Sequence, residues 1–194
     1  MKDFLTNADW TSAPVRSDFD GRFLRVEAAK GSDFWQGTHY GFHRDSGHAL
    51  LVPVGEVGSL EVTFQASFSA LYDQAGLMIR NSEKDWLKAG IEINDGVQHA
   101  AAVVTREQSD WSLSAVPEWA GQEVTIRASW RNGAVTIRAR SNGGAWNTLR
   151  LAPMNVGTST KAGLYVCSPE RGGLGVTFSA VKFGPPDAEL HSAP

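Results

Sequence analysis

Two short stretches of the chain carry varied polar side chains at every second position, a spacing suited to ligand binding. Gln74 and Arg80 alternate with apolar residues in the first stretch, and Lys88 and Glu92 do so in the second. Alternate side chains of a β-strand point to the same face, so these groups would share one surface of a sheet. Amide, guanidinium, ammonium and carboxylate groups together supply the donors and acceptors that recognise a polyhydroxylated or anionic small ligand. The pattern predicts a binding surface and leaves its ligand open.

Two glycines interrupt these polar faces. Gly76 lies two residues after Gln74, and Gly90 lies between Lys88 and Glu92. A strand glycine can leave a hollow where a ligand approaches the backbone, or it can make room for an aromatic side chain from a neighbouring strand. From the sequence, a groove floor and a packing site are equally good interpretations of these two positions.

Aromatic and histidine side chains elsewhere in the chain are candidates for the rim of this surface. Segment 32–48 contains Trp35 and His39, His99 precedes an apolar run, and Trp111 lies at the end of a polar one. A tryptophan ring can stack on the C–H face of a sugar while polar neighbours bind the hydroxyls. Because Trp is highly buried on average, a core position is the alternative for each of the seven tryptophans. The expected ligand-binding residues are Tyr72, Gln74, Lys88 and Glu92 as polar groups of the pocket, Trp35, His39, His99 and Trp111 at its rim, and Arg80 and Asp110 as secondary members.

The acidic residues also permit a catalytic hypothesis. A retaining glycosidase needs two carboxyl groups about 5–5.5 Å apart, and an inverting one needs about 6.5–9.5 Å. Glu92 is flanked on its own strand face by Gly90 and Asn94, so a second carboxyl would have to come from another strand. The sequence contains no nucleophile elbow, phosphate-binding loop or Cys–His pair. We therefore predict no catalytic residues and keep hydrolysis as an alternative, in which Glu92 would pair with Asp33, Asp73 or Asp110.

Three histidines and two aspartates in segment 32–48 raise the question of a metal site. His39 and His43 would align on a helix, but Gly37 and Gly41 disfavour a helix there. On a strand the two histidines would lie roughly 13 Å apart, at about 3.3 Å per residue. That separation is too large for two ligands of one zinc ion, whose Zn–N bonds are about 2.0–2.1 Å long. We predict neither a metal site nor a cofactor, and the sequence leaves a structural calcium ion open.

Composition restricts the classes of function. With 194 residues, of which 42% are hydrophobic, the chain has the composition of an ordinary folded domain. The net charge of −3 argues against a nucleic-acid partner, which would require clustered Lys and Arg. The N-terminus lacks the apolar run of a signal peptide, and no stretch reaches the roughly 20 apolar residues of a membrane helix. We expect a cytoplasmic protein without membrane association, in which the single cysteine, Cys167, is buried.

Alternation of apolar and polar residues runs through most of the chain and predicts the elements that must position the site. Residues 60–68, 124–130 and 135–140 alternate in this way, whereas helical periodicity is nearly absent. Asn132-Gly133 between two of these strands is the signature of a type I′ hairpin turn. Many short strands separated by turn signals indicate a sandwich or a barrel. We predict one domain over residues 1–183, a flexible tail over residues 184–194, and a solvated face that bears Arg127, Arg131, Arg138, Arg140 and Arg150.

Several segments of the sequence together resemble a known family. They contain Asp33-Phe34-Trp35, Tyr72-Asp73-Gln74-Ala75-Gly76, Lys88-Ala89-Gly90-Ile91-Glu92 and Ser109-Asp110-Trp111-Ser112. From about Asn7 to Phe183 the chain resembles the family that includes the fungal regulator-of-enolase protein, and two segments also resemble sandwich modules of family-43 glycosidases. The resemblance implies an all-β fold, a concanavalin A-like jelly-roll sandwich of two antiparallel sheets, whose concave face binds saccharide in lectins and glucanases. The family has no established catalytic residues, so the resemblance implies none. The acid-x-acid strand of those glucanases is missing here, which argues against an enzyme.

Three hypotheses follow for the function. The preferred one is a non-catalytic module that binds a carbohydrate or another small polar metabolite on the concave sheet face. Glu92 would then accept hydrogen bonds from ligand hydroxyls, while Lys88 and Gln74 would donate them. Trp35 or Trp111 would stack on the ligand. The second hypothesis is a glycoside hydrolase or lyase that uses Glu92 with an aspartate across the groove. The third, which depends on the family resemblance, is a protein-interaction module that regulates a metabolic enzyme.

Overall fold

The alternation of polar and apolar residues is realised as β-strands along most of the chain. The computed structural model describes residues 1–190, and strands make up nearly all of the regular structure in that range. No helix in these residues is long and apolar enough to cross a membrane. The elements are α1 (Lys2–Asn7), β1 (Asp9–Trp10), β2 (Arg16–Phe19), β3 (Leu24–Ala28), β4 (Phe34–Gln36), β5 (His43–Asp45), β6 (His48–Pro53), β7 (Gly58–Ala66), β8 (Gln74–Ser82), β9 (Asp85–Asn94), β10 (Val97–Arg106), β11 (Gln108–Ala115), a 3₁₀ turn (Pro117–Trp119), β12 (Val124–Arg131), β13 (Ala134–Ser141), β14 (Asn147–Pro153), β15 (Lys161–Cys167) and β16 (Leu174–Gly184).

Most of the strands form two seven-stranded antiparallel sheets, which we call sheet A and sheet B. The strand order is β1-β6-β15-β8-β9-β10-β11 in sheet A and β14-β13-β12-β7-β16-β3-β2 in sheet B. The two strands outside these sheets, β4 and β5, pair with each other as a separate hairpin. The predicted all-β sandwich of two antiparallel sheets is confirmed.

The apolar residues of the alternating strands meet between the two sheets. Leu77 on β8 and Ile91 on β9 are fully buried there, together with Val62 on β7 and Ile126 on β12. Successive residues of a strand point to opposite faces, so burial of these positions turns Lys88 and the other polar residues of β8 and β9 away from the core. We call the face of sheet A that points away from sheet B its outer face.

Asn132 and Gly133 form the predicted tight turn between β12 and β13. Arg131 pairs with Ala134 across the turn, and the φ angles of Asn132 and Gly133 are 52° and 72°. Positive φ at both central residues is the conformation of a type I′ turn, whose twist matches that of the flanking strands. This local sequence signal is confirmed.

Gly76 and Gly90 are cross-strand partners in the middle of sheet A. A Cβ on Gly76 would lie 2.0 Å from the carbonyl oxygen of Ala89, and a Cβ on Gly90 would lie 2.0 Å from that of Ala75. Side chains do not approach a backbone this closely, so both positions require glycine. The two residues allow close approach of β8 and β9, and they do not line the cavity described below.

The C-terminal segment lies on sheet B as far as the structure describes it, although the sequence predicted a flexible tail from residue 184. Gly184 ends β16, and Asp187 is 8% exposed. The Asp187 carboxylate accepts hydrogen bonds from the guanidinium groups of Arg127 and Arg138. Arg131 donates hydrogen bonds to the carbonyl oxygens of Asp187 and Ala188 as well, so three of the five arginines expected on a solvated face bind this segment. Residues 191–194 of the predicted tail lie outside the described residues.

Candidate ligand-binding site

The β4–β5 hairpin covers part of the outer face of sheet A. Phe34 is fully buried and Trp35 is 9% exposed, and both belong to an apolar cluster with Met78 and Trp86 that is separate from the main core. The turn of the hairpin, residues 37–42, includes three residues with positive φ. The outer face is therefore only partly open to solvent, and what covers it comes from a distant part of the chain.

Beside the hairpin, the outer face of sheet A borders a cavity of about 210 Å³. The walls come from the hairpin, from the beginning of β8, from β9, β10 and β11, and from the loop after β15. Six of the ten residues expected to bind ligand line this cavity, namely Trp35, Tyr72, Gln74, Lys88, Glu92 and Trp111. The fold thus brings together side chains from separate parts of the sequence.

Arg80 and Asp110, two other expected residues, lie outside the cavity in ion pairs. The Arg80 guanidinium donates hydrogen bonds of 2.6 and 2.9 Å to the Asp45 carboxylate, and this pair fastens the β4–β5 hairpin to sheet A. Asp110 precedes Trp111 on β11, so its side chain points to the opposite face. Its carboxylate accepts a hydrogen bond of 2.5 Å from Arg150 on β14. Their charges are balanced within the protein, and neither residue is part of the site proposed below.

His39 and His99, the remaining expected residues, also lie outside the cavity lining. His39 is exposed in the hairpin turn, with its ring centroid 4.9 Å from that of Tyr40. His99 is the cross-strand neighbour of Glu92, but its Nδ1 lies 2.9 Å from the Val97 carbonyl oxygen. Both histidines are close to the cavity without contributing to its wall.

The Lys88 ammonium group is buried and bound to protein oxygens. Lys88 is 2% exposed, and its Nζ donates hydrogen bonds of 2.8 Å to the Phe34 carbonyl oxygen and to Gln74 Oε1. Asp33 Oδ1 lies 3.5 Å from the same nitrogen and 3.5 Å from the Gln74 amide nitrogen. These contacts join the β4–β5 hairpin to β8 and β9. Lys88 and Gln74 therefore stabilise the site from within, and they are not the free donors that the sequence suggested.

Glu92 has no such partners. It is 3% exposed and lines the cavity, and within residues 1–190 its carboxyl group makes neither a hydrogen bond nor an ion pair. Burial raises the pKa of Glu92 from 4.5 to about 7, the positive charge of Lys88 opposes this rise, and the negative charge of Asp33 adds to it. A buried polar group without a partner destabilises the folded protein. The Glu92 carboxyl is thus available to a ligand, as an acceptor when ionised and as a donor when protonated.

Four aromatic side chains form a closed series of contacts around the cavity, and we call Trp35, Tyr40, Tyr72 and Trp111 the aromatic wall. Trp35 lies edge-on to Trp111 and to Tyr40, with ring centroids 6.2 and 5.7 Å away. Tyr72 and Trp111 are 6.3 Å apart, and the hydroxyl oxygens of Tyr40 and Tyr72, 3.3 Å apart, complete the series. Within the described residues the buried indole nitrogen of Trp111 has no acceptor. The wall offers ring faces and one unused N–H group.

Asp73 positions two loops at one end of the cavity. Its carboxylate is buried and accepts hydrogen bonds from the guanidinium of Arg171 and from the hydroxyl of Ser168. Burial raises the pKa of Asp73, but the hydrogen bonds from Arg171 and from the backbone amides of residues 69 and 70 outweigh it and hold the pKa below its ordinary value. Tyr72, with a φ of 62°, precedes this anchored residue. Asp73 is thus engaged in an ion pair and does not line the cavity with Glu92.

Several lining residues were not selected from the sequence as ligand-binding. They include Asp33, Tyr40, Phe42, Arg44, Val103 and Glu170. Four of these belong to segment 32–48, which is rich in aromatic and charged residues. On a strand, alternate residues of this segment would share a face. In the structure, positive φ angles at Gly37, His39 and Gly41 form a turn instead. Glu170 reaches the cavity from the loop after β15, and no local sequence pattern marked it.

Comparison with known proteins identifies the family. Residues 10–186 match the family described as "Protein of unknown function (DUF1349)". The chain belongs to this family. It is 39% identical over 175 residues to "Regulation of enolase protein 1" of Saccharomyces cerevisiae, a match that covers 90% of this chain and 88% of the yeast protein. The crystal structure of a functionally unknown protein from Saccharomyces cerevisiae has a TM-score of 0.89 and 38% identity, and the match covers 95% of this chain and 99% of that one.

More distant solved structures share the fold of this DUF1349 chain. The GH43 protein BlXynB from Bacillus licheniformis has a TM-score of 0.72 at 13% identity, over 92% of this chain and 37% of that one. A legume lectin-like domain from Entamoeba histolytica has a TM-score of 0.65 at 7% identity, over 95% of this chain and 92% of that one. At such low identity the likeness concerns the fold alone. It confirms the expected concanavalin A-like sandwich.

Proposed function

We propose that this DUF1349 chain is a non-catalytic binding module whose cavity takes a small polar ligand, a carbohydrate or another polar metabolite. The observation that carries the proposal is the Glu92 carboxyl, which lines the cavity, is 3% exposed and has no hydrogen-bonding partner in residues 1–190. A ligand that hydrogen-bonds to this group would relieve the cost of its burial. Analogues that lack the matching group would be rejected, because they would leave the carboxyl unpaired.

The size and lining of the cavity support a small ligand. Its volume of about 210 Å³ is below the roughly 300–1,000 Å³ of pockets for drug-sized molecules. Ring faces of the aromatic wall can contact the C–H groups of a ligand while Glu92 binds a polar group. The combination of apolar walls with few convergent polar groups is the usual composition of a small-molecule site.

Calorimetric titration of the purified protein tests the proposal with a panel of monosaccharides, sugar acids, amines and other polar metabolites. We expect at least one compound to bind and to change the tryptophan emission, since two tryptophans belong to the aromatic wall. The Glu92→Gln variant should bind that compound roughly tenfold more weakly, which corresponds to about 1.4 kcal/mol. The exposed Glu56 provides a matched control, because Glu56→Gln should bind like the wild type. A panel without any binder, or full binding by Glu92→Gln, would reject the proposal.

A glycoside hydrolase or lyase is the second candidate, and the presence of two carboxyl groups in one cavity favours it. Asp33 and Glu92 both line the cavity, and the raised pKa of Glu92 suits a general acid near neutral pH. This candidate predicts turnover of chromogenic or natural glycans that is lost in both Asp33→Asn and Glu92→Gln. Binding without turnover across the panel would eliminate it.

A protein partner is the third candidate, and the name of the yeast relative, which concerns the regulation of enolase, supports it. For this chain the corresponding partner would be a metabolic enzyme such as enolase. Binding of purified enolase to the immobilised chain, measured with and without small ligands of the cavity, tests this candidate directly. Absence of binding at micromolar concentrations would reject it.

A further inference from the structure

The charges around the cavity favour a particular class of ligand. Lys88 is already bound to protein oxygens, and the other cation, Arg44, lies over the ring of Phe42 at 4.8 Å. Three carboxyl-bearing residues line the cavity against these two cations, namely Asp33, Glu92 and Glu170. Asp33 is paired with Lys88, so Glu92 and Glu170 remain against Arg44, an excess of one carboxyl group.

Apart from the Arg44 guanidinium and the Trp111 indole N–H, the side-chain hydrogen-bond donors of the lining are already engaged. The Lys88 ammonium and the Gln74 amide contact protein oxygens, and the hydroxyls of Tyr40 and Tyr72 contact each other. Each hydroxyl of a saccharide both donates and accepts hydrogen bonds, so tight binding requires both kinds of group from the protein. The cavity supplies mainly acceptors and ring faces, and such a lining suits a group that carries positive charge.

Neighbouring rings of the aromatic wall are steeply inclined to one another. The interplanar angles are 87° for Trp35 with Trp111 and 67° for Trp35 with Tyr40 and for Tyr72 with Trp111. These rings meet edge to face and are not stacked in parallel. Ring faces are the negative parts of aromatic side chains and attract a cation within about 6 Å of the centroid.

We propose that the cavity binds an alkylammonium group, which lies between the rings of the aromatic wall with Glu92 as its counter-ion. The inference rests on the proposed function and specifies the ligand class of the same site. A buried carboxylate without a partner is unfavourable, and an ammonium group that enters the cavity supplies the opposite charge. The surrounding rings interact with the cation from several sides, as in known sites for quaternary ammonium groups.

Choline and its neutral isostere 3,3-dimethyl-1-butanol are matched probes, because a carbon atom replaces the charged nitrogen in the isostere. We expect calorimetry and tryptophan fluorescence to show choline binding at least about tenfold more tightly than the isostere. Glu92→Gln should reduce this difference, since the rings that remain still attract the cation. Trp111→Leu should weaken choline binding by about tenfold or more, while Trp111→Phe, which keeps a ring, should retain part of it. Trp146→Leu is the control, because Trp146 contacts Arg140 and does not line the cavity.

The outcomes separate this inference from the broader proposal. Equal affinity for choline and its isostere would overturn the inference, and so would choline binding that neither Glu92→Gln nor Trp111→Leu changes. A saccharide that binds while choline, methylammonium and tetramethylammonium do not would overturn the inference and leave the proposed function standing. Failure of every compound would reject both. If choline binds, a comparison with the amide of N-acetyl-trimethyllysine distinguishes a free metabolite from a modified lysine side chain as the source of the ammonium group.

Discussion

Replacement of Glu92 by glutamine should make the stability of the protein less dependent on pH. Burial raises the pKa of Glu92 from 4.5 to about 7 in the folded protein. Below pH 4.5 the carboxyl is protonated in the folded and unfolded states, and it does not reduce stability. As the pH rises towards 7 the unfolded chain ionises freely while the folded chain resists ionisation, so the wild type loses stability across this range. Glutamine stays neutral at every pH and avoids this loss.

The expected magnitude follows from the pKa change. A rise in pKa from 4.5 to about 7 corresponds to about 3 kcal/mol in the free energy of unfolding. For a domain of this size the melting temperature changes by roughly 2–4 °C per kcal/mol. The difference in Tm between Glu92→Gln and the wild type should therefore be near zero at pH 4 and reach roughly 6–12 °C in favour of the variant at pH 8.

Thermal unfolding followed by circular dichroism from pH 4 to pH 9 measures this difference. The exposed Glu56→Gln variant serves as the control and should follow the wild type at each pH. A difference in Tm that stays constant with pH would show that Glu92 ionises as freely in the fold as in the unfolded chain. A Tm for Glu92→Gln far below the wild type at every pH would place Glu92 in a structural hydrogen bond, and either result would refute the reasoning about this site.

Three further predictions concern other parts of the fold. Gly76→Ala would place Cβ 2.0 Å from the Ala89 carbonyl oxygen. We therefore expect urea denaturation to show a free energy of unfolding lower by about 3 kcal/mol or more. An unfolding midpoint equal to that of the wild type would contradict the close contact between β8 and β9. Asp187→Ala leaves the buried Arg138 without its counter-ion. The same assay should show a free energy of unfolding lower by about 3–5 kcal/mol. An unchanged midpoint would mean that the C-terminal segment is not held on sheet B. Cys167 is fully buried, and burial raises the pKa of its thiol, so a thiol reagent should label it only after denaturant is added; rapid labelling of native protein would disprove its burial.

The strands and their faces were predictable because they depend on local pattern. Alternate residues of a strand share a face, so the apolar positions around Leu77 and Ile91 predicted both the core and the side on which Lys88 and Glu92 lie. The Asn132-Gly133 turn was equally local, because its signal is confined to two adjacent residues. Trp35 and Trp111 were assigned to one site on their aromatic character alone. The sequence did not predict that their rings contact each other or where in the fold they do so.

The roles of the polar residues were less predictable, because they depend on partners that are distant in the sequence. Lys88 and Glu92 lie four residues apart on one strand face. The Lys88 ammonium donates a hydrogen bond to the Phe34 carbonyl oxygen, whereas the Glu92 carboxyl has no hydrogen-bonding partner in residues 1–190. Arg80 has the same alternation as its neighbours, but Asp45 of the hairpin pairs with it.

The sequence by itself determined the sandwich, the strand faces and the presence of a mixed polar surface on β8 and β9, since all of these follow from the two-residue period of a β-strand. Only the tertiary structure decided which part of that surface is sealed, where the cavity lies and which carboxyl group is left without a partner. The physical reason is that burial and hydrogen bonding depend on what packs over a face. Here the covering hairpin is separated from β9 by about 40 residues of sequence, and no local period encodes its position.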